Sequence, residues 1–201
     1  MKGSEDTKEL ILKTAYNLFL HNNYEAVTIN SIIKATGLTK GGIYYYFSSK
    51  EEIFKAVVNV YMVDNRKDIL KEHSNLKELI QDSIDSIRKK ITKMVTENKE
   101  YKDEIPINYL SLMLTAFRYY PGFGKIGRDF INCMTEVWKK SIMKAIKDGE
   151  VRSEIDVEAT SANFLQISSG IVENMIMGGL MIYALDMMER QFWGLYNCIR
   201  K

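Results

Sequence analysis

The chain has 201 residues, of which 46% are hydrophobic, and its formal net charge is +2. This composition excludes an intrinsically disordered protein, and the near balance of charges does not by itself indicate a nucleic-acid binder. Neither a run of about 18 apolar residues nor the apolar stretch of a secretory signal occurs. We therefore expect a cytoplasmic protein without a membrane span.

Residue types that carry catalytic or metal chemistry are scarce and scattered. The two cysteines, Cys133 and Cys198, form no disulfide framework, and with His21 and His73 they lack the spacing of a zinc site. The glycines match neither the phosphate-binding nor the dinucleotide-binding pattern. We expect no catalytic site, no bound metal and no cofactor.

Apolar residues recur every three or four positions along nearly the whole chain, which predicts an all-α protein of about nine helices. The predicted helices cover about residues 5–21, 28–36, 40–47, 50–71, 75–98, 107–118, 123–147, 156–177 and 184–200. The fourth is predicted to open with a capping box. In it the Ser49 hydroxyl accepts from the Glu52 amide, and the Glu52 carboxylate reaches back to the Ser49 amide.

Residues 28–50 hold the most informative pattern in the chain. Two short predicted helices, capped by Thr28 and Thr39, meet through a turn that begins at Gly37. This arrangement is typical of a helix-turn-helix, whose second helix enters the DNA major groove. Residues 26–50 contain three lysines and no acidic residue, which suits phosphate contact, although an ordinary solvated face would show the same charge.

The second short helix combines two glycines with three tyrosines. Gly41 and Gly42 cost about 1 kcal/mol each relative to alanine within a helix, so the segment is either a loop or a helix whose bare backbone approaches DNA closely. Successive helical residues lie about 100° apart, so Tyr44, Tyr45 and Tyr46 cannot all face one core. At least one must project outward, where its hydroxyl can reach a phosphate or a base edge.

The segment resembles the DNA-binding domain of the TetR family of repressors over about residues 8–56. The resemblance rests on Ile32, Ala35-Thr36-Gly37, Thr39-Lys40-Gly41, Tyr44-Tyr45-Tyr46-Phe47 and Lys50-Glu51, with Thr36 at a position where alanine is commoner. It implies phosphate contacts by Thr28, Tyr44, Tyr46 and Lys50, and it puts Thr39, Lys40, Gly41 and Tyr45 at or near base edges. Lys40 is the candidate for a hydrogen bond to guanine O6 and N7, and a phosphate contact alone is the alternative.

The same resemblance implies two domains, a DNA-binding domain at residues 1–50 and a ligand-binding and dimerisation domain at residues 51–201. The last two helices would form a four-helix bundle with a second copy. The candidates for a pliable apolar pocket are Tyr109, Met113, Phe117, Phe130, Met134, Trp138 and Glu173. Each of the apolar ones is alternatively ordinary core. Glu173 would face a cationic ligand or, alternatively, lie at the surface or the dimer rim.

The sequence therefore predicts a homodimeric transcriptional repressor. It would bind a palindromic double-stranded operator, and a small hydrophobic or amphipathic effector would release it. The alternative is an effector-independent DNA-binding protein that acts through a protein partner or through DNA architecture. A helical enzyme or carrier with a vestigial motif is a third possibility.

Overall fold

The computed structural model describes residues 2–63, 72–97, 105–178 and 181–201, and the side chains within 4–63, 72–96, 107–171 and 183–201. These residues are almost entirely helical, which confirms the predicted all-α class. In chain order the helices are α1 (Lys2–His21), α2 (Ile29–Thr36), α3 (Lys40–Tyr44), α4 (Lys50–Val58), α5 (Leu76–Glu97), α6 (Ile105–Tyr119), α7 (Phe123–Lys147), α8 (Val157–Gly178) and α9 (Met181–Ile199). None of the described helices combines the length and hydropathy that a membrane span requires.

Three local predictions were wrong. Helix α3 ends at Tyr44 rather than Phe47, because the Tyr46 amide turns back to the Ile43 carbonyl, three residues earlier. Helix α4 gives way to a five-residue π turn (Asn59–Val63) instead of continuing as α-helix, and residues 64–71 lie outside the described chain. The Glu52 carboxylate accepts from the amide and hydroxyl of Ser48, both at 2.7 Å, rather than from the Ser49 amide.

The chain divides into two compact units. The first unit comprises Met1–Arg66 and Asn108–Gly124, and the second comprises Lys67–Ile107 and Lys125–Lys201. These units group residues by packing, so the functional division at residue 50 stays a prediction.

The core of the first unit follows from the spacing of apolar residues in α1. Ile11, Ala15 and Phe19 recur every four residues and are buried, as expected for one face of a helix. Phe54 of α4 meets Phe19 edge to face, with ring centroids 5.1 Å apart. Buried Leu112 and Ala116 of α6, together with Ile32 of α2 and Ile43 of α3, complete this core. The two short helices are therefore anchored on α1, α4 and α6.

The second unit has its own core, built from α5, α7, α8 and α9. Its centre is a stack of aromatic rings, in which Trp138 lies 4.6 Å from Phe164 and 5.9 Å from Phe192 between centroids. Helices α8 and α9 pack against each other, and the carboxyl end of α9 is fastened by a backbone bridge between Val151 and Arg200.

Candidate nucleic-acid interface

The start of α2 is held by a reciprocal cap. The Thr28 hydroxyl accepts from the Ser31 amide at 3.1 Å, and the Ser31 hydroxyl accepts from the Thr28 amide at 3.0 Å. This is a capping box with serine in place of the usual glutamate. Thr28 is exposed, so its cap role leaves it accessible to a ligand at the surface.

The turn between α2 and α3 depends on two residues, Gly37 and Thr36. Gly37 has φ +70°, a conformation that glycine adopts without strain, and its amide donates to the Ile33 carbonyl at 3.0 Å. The Thr36 hydroxyl donates to the Ile32 carbonyl at 2.8 Å and accepts from the Leu38 amide at 3.3 Å. Thr36, the one departure from the family pattern, thus closes the turn by hydrogen bonds that alanine cannot make.

The two glycines of α3 have different surroundings. The Thr39 hydroxyl caps the helix by accepting from the Gly42 amide at 3.1 Å, and a Cβ on Gly42 would lie 3.3 Å from that oxygen. A Cβ on Gly41 would meet nothing within 4 Å. Gly42 is therefore constrained by the cap, whereas none of the described residues around Gly41 requires a glycine there.

The three tyrosines differ in exposure, as their positions around the helix require. Ile43 and Phe47 are buried and anchor the segment, while Tyr45 is 79% exposed and Tyr44 is 44% exposed. Tyr46 is half-buried, and its hydroxyl donates to Ser4 at 3.2 Å. Tyr44 and Tyr45 thus present their rings to solvent, while Tyr46 lies closer to the start of α1.

One lysine begins α3 and another begins α4. Lys40 is exposed, with its Nζ 5.8 Å from the Tyr44 ring centroid. Lys50 is half-buried, and its Nζ donates to the Tyr24 carbonyl at 2.9 Å and lies 4.2 Å from the Tyr24 ring centroid. Sequence reasoning missed Tyr24, because its contact with Lys50 spans 26 residues and no local spacing announces it.

The carboxylates of Glu51 and Glu52, which follow Lys50 in the chain, accept hydrogen bonds at the start of α4. The pKa of Glu51 is lowered by its own backbone amide and by the Ser49 hydroxyl. The pKa of Glu52 is lowered by the hydroxyl and then the amide of Ser48. Both carboxylates are therefore held at the positive end of the helix.

The described pocket candidates fall into both compact units. In the first unit, Tyr109 and Met113 are half-buried against the core, whereas Phe117 is 56% exposed and meets Phe123 edge to face at 5.0 Å. In the second unit, Phe130 is half-buried and Met134 is buried.

Trp138 is 1% exposed and belongs to the aromatic stack with Phe164. Glu173 lies outside the residues whose side chains are described. The ligand-binding role of all seven candidates stays a prediction. No group of three or more potential metal ligands occurs in the parts of the chain that the structure describes.

Known proteins resemble the chain both locally and over its length. The family model for bacterial regulatory proteins of the tetR family matches residues 11–57. The HTH-type transcriptional repressor KstR2 of Rhodococcus jostii is 25% identical over 174 residues, which cover 78% of this chain and 73% of KstR2. A TetR transcription regulator from Haloarcula marismortui superimposes with a TM-score of 0.72 at 18% identity, covering 98% of this chain and 100% of that one. The SmeT–triclosan complex superimposes with a TM-score of 0.64 at 18% identity, covering 91% and 90%.

Proposed function

Because this chain belongs to the TetR family of bacterial regulatory proteins, we propose that it is a homodimeric repressor that a small hydrophobic or amphipathic ligand releases from a palindromic DNA operator. The observation that carries the proposal is the exposed surface of α3. Lys40, Gly41 and Tyr45 face solvent while Ile43 fixes the helix to the core. A short, firmly anchored helix with a bare backbone position suits close approach to base edges.

Each candidate residue has a proposed role in DNA binding. Thr39, Lys40, Gly41 and Tyr45 lie at or near base edges in the major groove. The remaining candidates contact phosphates, and they are Thr28, Tyr44, Tyr46 and Lys50. Phosphate contacts fix the register of the helix on the duplex, and base contacts carry the sequence preference.

Self-association is supported by glycines in the two C-terminal helices. Gly194 is exposed within α9, and a Cβ there, or on Gly170 of α8, would meet nothing within 4 Å. Glycine within a helix costs about 1 kcal/mol relative to alanine, and no neighbour among the described residues accounts for that cost. Close approach of a second copy at α8 and α9 would account for it. Two-fold symmetry of that kind requires a palindromic operator.

Release by a ligand is supported by the relatives and by composition. KstR2 is named a repressor, and SmeT was solved in complex with triclosan. The methionines and aromatic residues between 109 and 143 suit a pliable apolar site. Release requires that the ligand bind more tightly to the form that does not match the operator than to the form that does.

One observation favours a second candidate function, DNA binding without a small-molecule effector. Trp138, Phe164 and Phe192 stack on one another at the centre of the second unit and fill that part of it with side chains. A solid core of this kind would leave control to a protein partner or to DNA architecture.

The experiment that tests DNA binding is selection of bound sequences from a random duplex library by the full-length protein. We expect enrichment of an inverted repeat whose half-sites are separated by about one helical turn. Failure to enrich any sequence at low salt would overturn the proposal. A thermal-shift screen with hydrophobic and amphipathic compounds, followed by release of the selected duplex, then separates the two candidates. No stabilising compound would favour the effector-independent function.

A further inference from the structure

The ammonium group of Lys50 is held in place by Tyr24. Its Nζ donates to the Tyr24 carbonyl at 2.9 Å and lies over the face of the Tyr24 ring, 4.2 Å from the centroid. An ammonium has three donors, so this arrangement leaves others free for a phosphate oxygen. The ring face attracts the cation and restricts a side chain that otherwise has many rotamers.

Tyr24 is itself fixed from several sides within the first unit. It is buried, and its ring meets Phe54 at 4.8 Å and Phe19 at 5.7 Å between centroids. Its hydroxyl donates to a Glu51 carboxylate oxygen at 3.4 Å. Burial, and then the nearby Glu51 charge, raise the pKa of Tyr24 to about 12, so the phenol stays neutral. The Lys50 ammonium therefore lies against a buried, neutral ring.

The Tyr24 ring also contacts the carboxyl end of α6. Tyr119 stacks on Tyr24 with ring centroids 4.3 Å apart and an interplanar angle of 26°. The Tyr119 hydroxyl donates to the carboxylate of Glu25, the next residue along the chain. Helix α6 therefore contacts two adjacent residues, Tyr24 and Glu25, and the Tyr24 carbonyl is the acceptor for Lys50. Residues 105–107 of α6 belong to the second compact unit, and residues 108–119 belong to the first.

We propose that Tyr24 is a positioning residue for the phosphate contact of Lys50, and that Tyr119 couples α6 to this contact by holding the Tyr24 ring. The inference rests on the proposed DNA-binding function. When α6 moves away from this position, the stack separates and the Tyr24 ring and carbonyl no longer constrain Lys50. The lysine then has to be ordered at the moment of DNA binding, and its phosphate contact weakens.

The first test needs no DNA. In full-length protein with isotope-labelled lysine, the ε-methylene protons of Lys50 lie over an aromatic ring and should resonate upfield of the other lysines. Lys50→Met identifies the signal by removing it. Tyr119→Leu should move the signal towards the other lysines, whereas Tyr119→Phe, which keeps the ring, should leave it in place. An unchanged signal in folded Tyr119→Leu overturns the coupling through Tyr119.

The second test is a double-mutant cycle on the selected duplex, with thermal unfolding to confirm that each variant is folded. Lys50→Met should weaken binding to all sequences. It should also lower by about one the salt slope, which is the slope of the logarithm of DNA affinity against the logarithm of salt concentration. Tyr119→Leu should weaken binding about threefold to tenfold in the wild-type background, and it should have no effect when Lys50 is already methionine. Tyr119→Phe should bind DNA like the wild type in both backgrounds.

The outcomes separate this inference from the function on which it rests. If the loss of DNA affinity in the double variant equals the product of the losses in Tyr119→Leu and Lys50→Met, the positioning role is overturned, while DNA binding itself stands. A Lys50→Met protein that binds with unchanged affinity and salt slope would also overturn it. Absence of DNA binding by the wild-type chain would overturn the proposed function, and the lysine signal would still report whether Tyr119 holds Tyr24 over Lys50.

Discussion

The hydroxyl oxygen of Thr39 accepts a hydrogen bond from the amide of Gly42 at 3.1 Å, and the same oxygen would lie 3.3 Å from a Cβ on Gly42. The cap of α3 and the absence of a side chain at Gly42 are therefore two parts of one local arrangement. Gly41, one residue earlier, is surrounded by open space. The pair looks uniform in the sequence, but its members have separate physical explanations.

A methyl group at Gly41 should separate folding from DNA binding. Gly41→Ala should raise the free energy of unfolding by up to about 1 kcal/mol, because alanine is the better helix former and meets no neighbour. The same methyl should weaken DNA binding, since it stands on the proposed DNA-facing surface. Urea unfolding and fluorescence anisotropy with the selected duplex measure the two effects.

Gly42→Ala is the matched control, because its methyl presses on the Thr39 hydroxyl and forfeits part of the gain in stability. A Gly41→Ala protein that is more stable and binds DNA as tightly as the wild type would show that α3 does not approach DNA at this position.

Lys40→Met should relax the sequence preference at one base pair in each half-site. A lysine that donates to guanine O6 and N7 contributes about 1–3 kcal/mol of discrimination against other bases, and methionine keeps the length without the donors. Competition between duplexes that differ only at that base pair measures the loss. Uniform weakening across all duplexes, with a salt slope lower by about one, would assign Lys40 to a phosphate instead.

The carboxylate of Glu52 should make folding stability depend on acid pH. Two hydrogen bonds from Ser48 lower its pKa from the ordinary value of 4.5 in the folded chain. The stabilisation is therefore fully present above about pH 4.5 and is lost as the pH falls through the lower, folded pKa. Glu52→Gln should flatten the decline of the urea midpoint in this range. Glu9→Gln, on the exposed surface of α1, is the control, and identical profiles for all three proteins would exclude the role of Glu52.

A bulky residue at Gly194 should disrupt self-association without unfolding the chain. The position is exposed in α9, and a Cβ there meets nothing within 4 Å in one copy, so the chain should accommodate Gly194→Leu without unfolding. Against a second copy the added side chain should clash, and sedimentation velocity should then report monomers where the wild type forms dimers. Gly127→Leu, at an open position in α7, is the comparison. If Gly194→Leu forms dimers of unchanged stability, the dimer interface does not include α9 around this residue.

Local features of the fold were predictable from the sequence, because they depend on residues a few positions apart. The caps at Thr28 and Ser49 and the end of α7 near Gly149 are of this kind. The partner of the Glu52 carboxylate is Ser48 rather than the predicted Ser49, because the choice between two adjacent amides depends on the loop geometry and not on residue spacing.

Contacts between distant segments could not be read from spacing. Nothing near Lys50 indicates that its ammonium binds the Tyr24 carbonyl, or that Tyr119 of α6 covers the same ring. Composition alone groups the pocket candidates, and composition does not determine which helices pack together. Phe117 and Trp138 accordingly belong to different compact units.

Methylation interference on the selected duplex is the sharpest test of whether α3 enters the major groove of an operator. Guanine N7 faces the major groove and adenine N3 faces the minor groove, so methyl groups at the two positions report on different grooves. Methylated guanine N7 in each of two symmetric half-sites should block binding, whereas methylated adenine N3 in the A·T pairs of the same half-sites should not. Interference confined to adenine N3, or to neither position, would contradict entry of α3 into the major groove.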